Sequence, residues 1–181
     1  DQGSPVMDSG SDGSTPPEDM PIDSGEPAFG ESAWFKSFGG TNSEEIKGVT
    51  ADSQGNVYVT GIFQSEITIG PETFPHSQPG TSTQDFFVAS YAPDGSFRWA
   101  KSYGTTGNDN TFEIAVDNQD RVYVAGFHHN ELTVDTQVLS PKGTTDADIF
   151  VISFDPEGNL IWAKNWGGPY GEAPRDLSVN S

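Results

Sequence analysis

Three acidic residues recur in one kind of loop and are the first candidates for binding a cation. Glu44, Asp109 and Glu172 lie 65 and 63 residues apart, each in a glycine-containing stretch. Calcium takes about six to eight oxygen ligands, and no loop here has the EF-hand order. The same carboxylates could instead cap backbone amides in their loops. We favour capping, so the three acids stay weak candidates and no metal site is assigned from the sequence.

The histidines are the next candidates for chemistry. His128 and His129 are adjacent, so on a strand they would point to opposite faces and could not share one metal. His76 lies in a loop rich in proline, glycine and serine. A solvent-facing role is favoured over a metal-binding or catalytic one. No serine lies in a Gly-x-Ser-x-Gly elbow, and no phosphate-binding or dinucleotide-binding glycine pattern is present. We therefore predict no catalytic residue and no cofactor.

Three tryptophans recur in one motif. The segments "WFKSFGG", "WAKSYGT" and "WAKNWGG" begin at Trp34, Trp99 and Trp162. Aromatic faces could stack on a sugar, but recurrence at one repeat position is what core packing or packing between repeats produces. We favour packing.

The tryptophans belong to a longer repeat that predicts four strands per unit. The first strands are predicted at 47–51 and 112–116, and turns beginning at Asp52 and Asp117 follow them. The second strands, "VYVTGIF" and "VYVAGF", are rich in β-branched and aromatic residues. They contain Tyr58, Tyr123, Gly61 and Gly126.

The two glycines of the second strands suggest a bulge or a close backbone approach. The third strands, "FFVASYA" and "IFVISFD", are almost continuously apolar, which indicates burial on both faces. Turns at "PDG" and "PEG" lead into fourth strands that carry the tryptophan. Short runs at 66–70 and 131–135 extend the second strand or add a small hairpin. Helix signals are absent from the sequence.

This pattern resembles the bacterial SBBP-type β-propeller repeat, a relative of NHL-type and PQQ-type blades. The resemblance covers residues 34–181 and departs from the usual pattern at Asp120-Arg121, where Gly-Asn is typical, and at Thr105, where a second glycine is typical. It implies an all-β propeller of poorly defined activity, secreted or exposed on the cell surface, and it does not imply an enzyme.

The predicted organisation is an incomplete propeller. Blades are expected at about 44–103 and 109–166, with partial strands at 34–38 and 175–181. Two blades cannot close a ring of about four to eight. A shortened chain is the favoured explanation, beside a subunit that closes by oligomerising and an open pair of blades with exposed edges. Open faces predict self-association.

Residues 1–33 have a different composition and are predicted to be a disordered tether. They contain no lysine or arginine, whereas serine, glycine, proline and acidic residues dominate. Such a leader in a chain that begins at Asp1 is typical of a secreted or lipid-anchored protein after processing. The alternative is a disordered tail on a cytoplasmic protein.

Charge and hydropathy exclude several partners. The net charge is −19 and the basic residues form no cluster, which argues against nucleic acid and against an anionic membrane surface. No apolar run is long enough to span a bilayer. We expect a secreted or cell-surface interaction or structural module that binds a protein or a glycan. The alternative is part of a secreted propeller enzyme, acting on polysaccharide or using a quinone, whose catalytic residues lie in other blades.

Overall fold

Residues 34–143 and 147–179 are described by a computed structural model, and within them every regular element is a strand. The predicted tether at 1–33 lies outside the described residues. Blade 1 contains the strands β1 (Glu44–Ala51), β2 (Val57–Phe63), β3 (Ile67–Ile69), β4 (Glu72–Phe74), β5 (Asp85–Tyr91) and β6 (Phe97–Tyr103). Blade 2 contains β7 (Asn110–Val116), β8 (Val122–His128), β9 (Leu132–Val134), β10 (Gln137–Leu139), β11 (Asp148–Phe154) and β12 (Leu160–Trp166).

Each blade is a four-stranded antiparallel sheet with a small hairpin beside it. The sheets have the orders β1-β2-β5-β6 and β7-β8-β11-β12, and the hairpins are β3-β4 and β9-β10. The predicted all-β architecture of two consecutive blades is confirmed, and the runs at 66–70 and 131–135 contribute hairpins. The first strands begin earlier than predicted, because their ladders start at Glu44 and Asn110.

The register repeats as closely as the sequence does. Tyr58 lies opposite Ser90, and Tyr123 lies opposite Ser153. A bulge interrupts the first strand of each blade at the same place, between Ile46 and Gly48 and, in blade 2, between 111 and 113. Each bulge faces the glycine of the second strand. A Cβ on Gly61 would lie 2.8 Å from the Phe87 ring, so the close approach leaves no room for a side chain.

The turns at one end of both sheets need a residue with positive φ. Gly55 has φ 79° in the first turn, and Asp120 has φ 59° at the equivalent place in blade 2. Aspartate tolerates this left-handed region better than most residues, which explains how the departure from Gly-Asn is accommodated. We call this the turn end of the blades. The opposite end, with the connections at 64–66, 75–84, 104–109 and 129–131, is the loop end.

The core lies mainly between the two blades. Buried residues of one face of blade 1, including Tyr58, Phe86 and Val88, form a single cluster with Phe150 and Ile152 of blade 2. The rings of Phe86 and Phe150 stack with centroids 5.0 Å apart. A second cluster covers the other face of blade 1, where Trp34 and Phe38 pack against it. The middle strands are therefore buried on both faces in blade 1, as their apolar sequences predict.

The structure differs from the prediction at the two flanking segments. Residues 34–38 and the described part of 175–181 form no strand. The first segment has one isolated bridge, between Gly39 and Thr68. A strand needs a neighbour for its backbone hydrogen bonds, and among the described residues neither segment forms a ladder with one. Within residues 34–143 and 147–179, no helix is long and apolar enough to cross a membrane.

Candidate functional site

The three recurring acidic residues cap the loops that lead into each blade. Glu44 accepts a hydrogen bond from the Gly40 amide at 3.0 Å, and Glu172 accepts one from the Gly168 amide at 3.3 Å. Asp109 accepts the amides of Thr105 and His129. The structure does not bring the three together, and no group of three or more metal-ligating side chains occurs within residues 34–143 and 147–179. Each carboxylate thus binds backbone of its own loop, and Asp109 also binds the neighbouring connection through His129.

Asp109 is the most buried of the three. Its side chain has no exposed surface, and burial raises the pKa of Asp109 to about 6, with the nearby charge of Asp85 adding to the effect. The two amide hydrogen bonds oppose this rise because they favour the charged form. A carboxyl group with this pKa could exchange a proton near neutral pH. Asp85 is near enough to act on Asp109 through its charge, and the hydrogen bonds that Asp109 accepts come from Thr105 and the His129 amide.

Asp52 and Asp117 organise the turn end. Asp52 accepts the amides of Gln54 and Asn56 at 2.9 and 2.8 Å, and the hydroxyl of Tyr58 donates to it at 2.8 Å. Burial raises the pKa of Tyr58 to about 12, and the hydrogen bond to Asp52 adds to the rise. The aspartate therefore ties the turn to the second strand.

Asp117 repeats this arrangement with an ion pair added. The Tyr123 hydroxyl donates to it at 3.0 Å, and the Arg121 guanidinium lies 2.6 Å away. Burial alone would raise the pKa of Asp117, but the hydrogen bonds from Arg121 and the turn amides lower it to about 2. Arg121 replaces the usual asparagine, so the departure from the repeat pattern gives the turn a second charge.

The tryptophans form joints between successive units. The Trp34 indole donates from Nε1 to the Pro93 carbonyl at 2.9 Å, and Trp99 donates to the Pro156 carbonyl at 3.0 Å. Trp99 therefore crosses from blade 1 to the β11–β12 turn of blade 2. Each ring lies over the turn glycine, so that a Cβ on Gly158 would be 2.7 Å from the Trp99 ring. Trp34 and Trp99 thus pack against a neighbouring turn in this geometry.

Trp162 occupies the same repeat position with a different environment. Its ring contacts Tyr123, with centroids 6.0 Å apart, and Lys164 lies over it at 5.5 Å. No hydrogen bond joins its Nε1 to another described residue, whereas the other two tryptophans each have a proline carbonyl.

Two further aspartates connect the blades, one of them at the Asp120-Arg121 departure from the repeat pattern, and the sequence analysis gave neither a role in a joint. Asp120 accepts the amide and hydroxyl of Ser53 at 2.9 and 2.7 Å, across the joint at the turn end. Asp135 accepts the Lys101 ammonium at 2.8 Å and the Tyr103 hydroxyl at 2.9 Å. Neither could have been found from recurrence, because blade 1 has glycine at both equivalent positions.

The histidines are structural, and the expectation that they face solvent is wrong for two of them. His76 is 4% exposed, and its nitrogens contact the Thr83 carbonyl at 3.0 Å and the Gln78 amide at 3.1 Å. His128 is fully buried, and burial lowers its pKa. It occupies the place of Phe63 in blade 1, so its ring packs as an aromatic while Nδ1 contacts the Asn130 carbonyl. His129 is partly exposed.

A buried aspartate opens the third strand of each blade. Asp85 accepts the amide of Ser77 at 2.5 Å and its hydroxyl at 2.6 Å. Asp148 accepts the amide of Lys142, but its Oδ1 has no hydrogen-bond partner among the described residues. Blade 2 has Lys142 at the position of Ser77, and a lysine side chain supplies no hydroxyl donor to the Oδ1 of Asp148. The recurrence of aspartate before the apolar run was the available signal.

Comparisons with known proteins agree with this architecture. Residues 33–61 match the SBBP family model, described as a beta-propeller repeat. An uncharacterized WD repeat-containing protein of Acanthamoeba polyphaga mimivirus is 28% identical over 154 residues, which is 71% of this chain. The chain spans about 11% of the length of that relative. By sequence match and by sheet geometry, the chain is similar to β-propeller repeat proteins.

Proposed function

We propose that this chain is an interaction module built from propeller blades, and that its loop end binds a protein or a glycan. The proposal rests on the contacts of the polar side chains, most of which are made within the fold. The recurring acids and the buried aspartates are engaged in caps, turns and joints, and two of the three histidines are buried in the fold, which supports the interpretation of the blades as a scaffold. A scaffold of this kind presents loops.

The loop end differs most between the two blades. The connection at 75–84 reads "PHSQPGTSTQ", whereas the equivalent stretch of blade 2 begins "SPKG". The turn ends are by contrast nearly alike. In blade 1 the loop end contains a groove of about 300 Å³ lined by residues that include Asn42, Gln64, Ser65 and Pro79. Amides and hydroxyls beside proline suit a carbohydrate or a polar peptide segment.

We further propose an extracellular or cell-surface location. The support is compositional: residues 1–33 contain only acidic charges and are rich in serine, glycine and proline. A net charge of −19 disfavours nucleic acid as the partner.

The test is binding without turnover. The labelled chain is applied to a glycan microarray and to a panel of purified extracellular proteins, and any ligand is then titrated calorimetrically. A double variant, Asn42→Ala with Gln64→Ala, should weaken binding at least about tenfold, as expected for central contacts. Glu157→Ala, an exposed residue at the turn end, is the matched control and should leave binding unchanged.

Two results would contradict the proposal. One is chemical conversion of a bound glycan, which mass spectrometry would detect. The other is absence of saturable binding in both panels, or equal binding by the loop variant and its control.

A further inference from the structure

One face of blade 2 is apolar and only partly covered by the described residues, although the same face of blade 1 is buried. We call it the open face, and it contains Tyr123, Phe127, Ile149, Val151, Trp162 and Trp166. The equivalent residues of blade 1 are Tyr58, Ile62, Phe86, Val88, Trp99 and Tyr103, which pack against blade 2. Tyr103 is 9% exposed, whereas Trp166 is 48% exposed. Blade 2 thus carries the surface that blade 1 uses in the joint between the blades, and no described residues pack on it as blade 2 packs on blade 1.

The counterpart exists at the other end of the same chain. Blade 2 meets blade 1 through Ile114, Val122, Val124 and Phe154, all buried. The equivalent surface of blade 1, which we call the back face, contains Val49, Val57, Val59 and Tyr91. Val49 is 65% exposed, whereas Val59 and Tyr91 are buried in the cluster against which Trp34 and Phe38 pack. One copy therefore carries both halves of a blade-to-blade joint on opposite sides, which is the geometry of a heterologous contact.

The segment that covers part of the back face is held by ring packing and one indole hydrogen bond, without a strand ladder. Trp34 donates to Pro93 as Trp99 does to Pro156, but residues 34–38 form no ladder. A groove of about 610 Å³ remains between this segment and blade 1, lined in part by Lys36 and Gly70. Gly70 is equivalent to Asp135, which binds Lys101 and Tyr103 in the joint between the blades. A glycine has no side chain to make these contacts with the segment at 34–38.

Strand β12 is a better ordered version of the same segment. It carries tryptophan and lysine in the same order, at Trp162 and Lys164, and it is already paired with β11 along its length. Strand β12 is already ordered by its pairing with β11, so its binding to another surface carries little further cost in conformational entropy. Residues 34–38 have no such pairing and lose conformational entropy when they bind the back face.

We propose that the open face binds the back face of a second copy, head to tail, with Trp162 taking the place of that copy's Trp34 against the Pro93 carbonyl. Each copy bears a net charge of −19, so association strengthens as salt screens the repulsion. This surface is separate from the loop end.

The first test uses two tryptophans with opposite expected effects. Sedimentation velocity is measured over a range of concentrations at low and high salt. Trp162→Ala should weaken self-association at least about tenfold, because it removes the indole that enters the joint. Trp34→Ala should strengthen it, because the competing segment is removed. Equal weakening by both variants, or a wild-type chain that stays monomeric at every concentration and salt, would overturn the proposal; the latter means that another partner, such as a further blade, covers the open face.

The second test fixes the orientation by cross-linking a chain that contains no cysteine of its own. In the existing joint, a Cβ on Gly48 would lie 3.1 Å from Ile114. The head-to-tail contact places Glu113 of one copy against Val49 of the next in the same way. Under oxidation, a mixture of Val49→Cys chains and Glu113→Cys chains should give mixed dimers in excess over either homodimer. Predominant Val49→Cys homodimers would show a symmetric contact and refute the proposal.

Discussion

The joint between the blades can be tested by adding one methyl group at Gly158. This residue has φ 84°, and a Cβ built on it would lie 2.7 to 3.1 Å from the Trp99 ring. Two costs are therefore expected for Gly158→Ala. The left-handed backbone costs about 1 kcal/mol for alanine. Overpacking against a ring that is held by its hydrogen bond to Pro156 adds about 1 to 3 kcal/mol.

Gly80 offers a matched control. It also has φ 84°, but no atom lies within 4 Å of a Cβ built there. Gly80→Ala should thus cost only the backbone term of about 1 kcal/mol, and the difference between the two variants isolates the packing against Trp99. Urea unfolding followed by far-ultraviolet circular dichroism gives both free energies, provided that the slopes agree.

A double-mutant cycle completes the test. In a Trp99→Leu background the clash partner is smaller, so the cost of Gly158→Ala should fall to nearly that of Gly80→Ala. Costs for the two glycine variants that agree within about 0.5 kcal/mol, or an additive cycle, would refute the joint as described.

Three further outcomes follow from the departures between the repeats. Lys142→Ser should stabilise the chain by about 1 kcal/mol in urea unfolding, because it offers the buried Oδ1 of Asp148 a hydroxyl donor. Asp120→Ala should destabilise by about 1 to 2 kcal/mol through its positive φ and its lost bonds to Ser53, whereas Asp120→Asn should cost less. The Asp117 carboxyl, with a pKa of about 2, contributes stability above pH 3.8 that is lost as the pH falls toward 2; a carboxyl titration by nuclear magnetic resonance with an ordinary pKa would contradict this.

Strand positions were predictable because the apolar pattern repeats. The run "VYVTGIF" predicted β2 to the residue, and its glycine faces the bulge that the pattern suggested. The first strands were placed too late, since Glu44 and Asn110 are polar and their pairing is visible only in the ladder. The repeat period also predicted partial strands at 34–38 and 175–181. Neither segment forms a strand where it is described, because a strand must pair with a neighbouring strand.

The buried histidines show a different limit of sequence reasoning. His128 stands at the position of Phe63, so alignment of the two repeats was enough to predict an aromatic packing site. The expectation of solvent exposure came from residue type and ignored that equivalence. His76 has no aromatic counterpart in blade 2, where Pro141 is aligned, and its burial depends on a loop whose path the sequence does not specify. Repeat position was the stronger guide wherever it could be read.

Repeated and unrepeated residues therefore have different roles in this chain. The residues shared by both units, such as the tryptophan and the turn aspartate, build each blade and its joint. The residues that differ adjust individual joints: Asp135 clamps the joint between the blades, and glycine at position 70 leaves the preceding one open. Because joint strength is set by such single exchanges, two joints of one backbone geometry can differ in how readily they separate. The weaker joint is the one at which a second copy would enter.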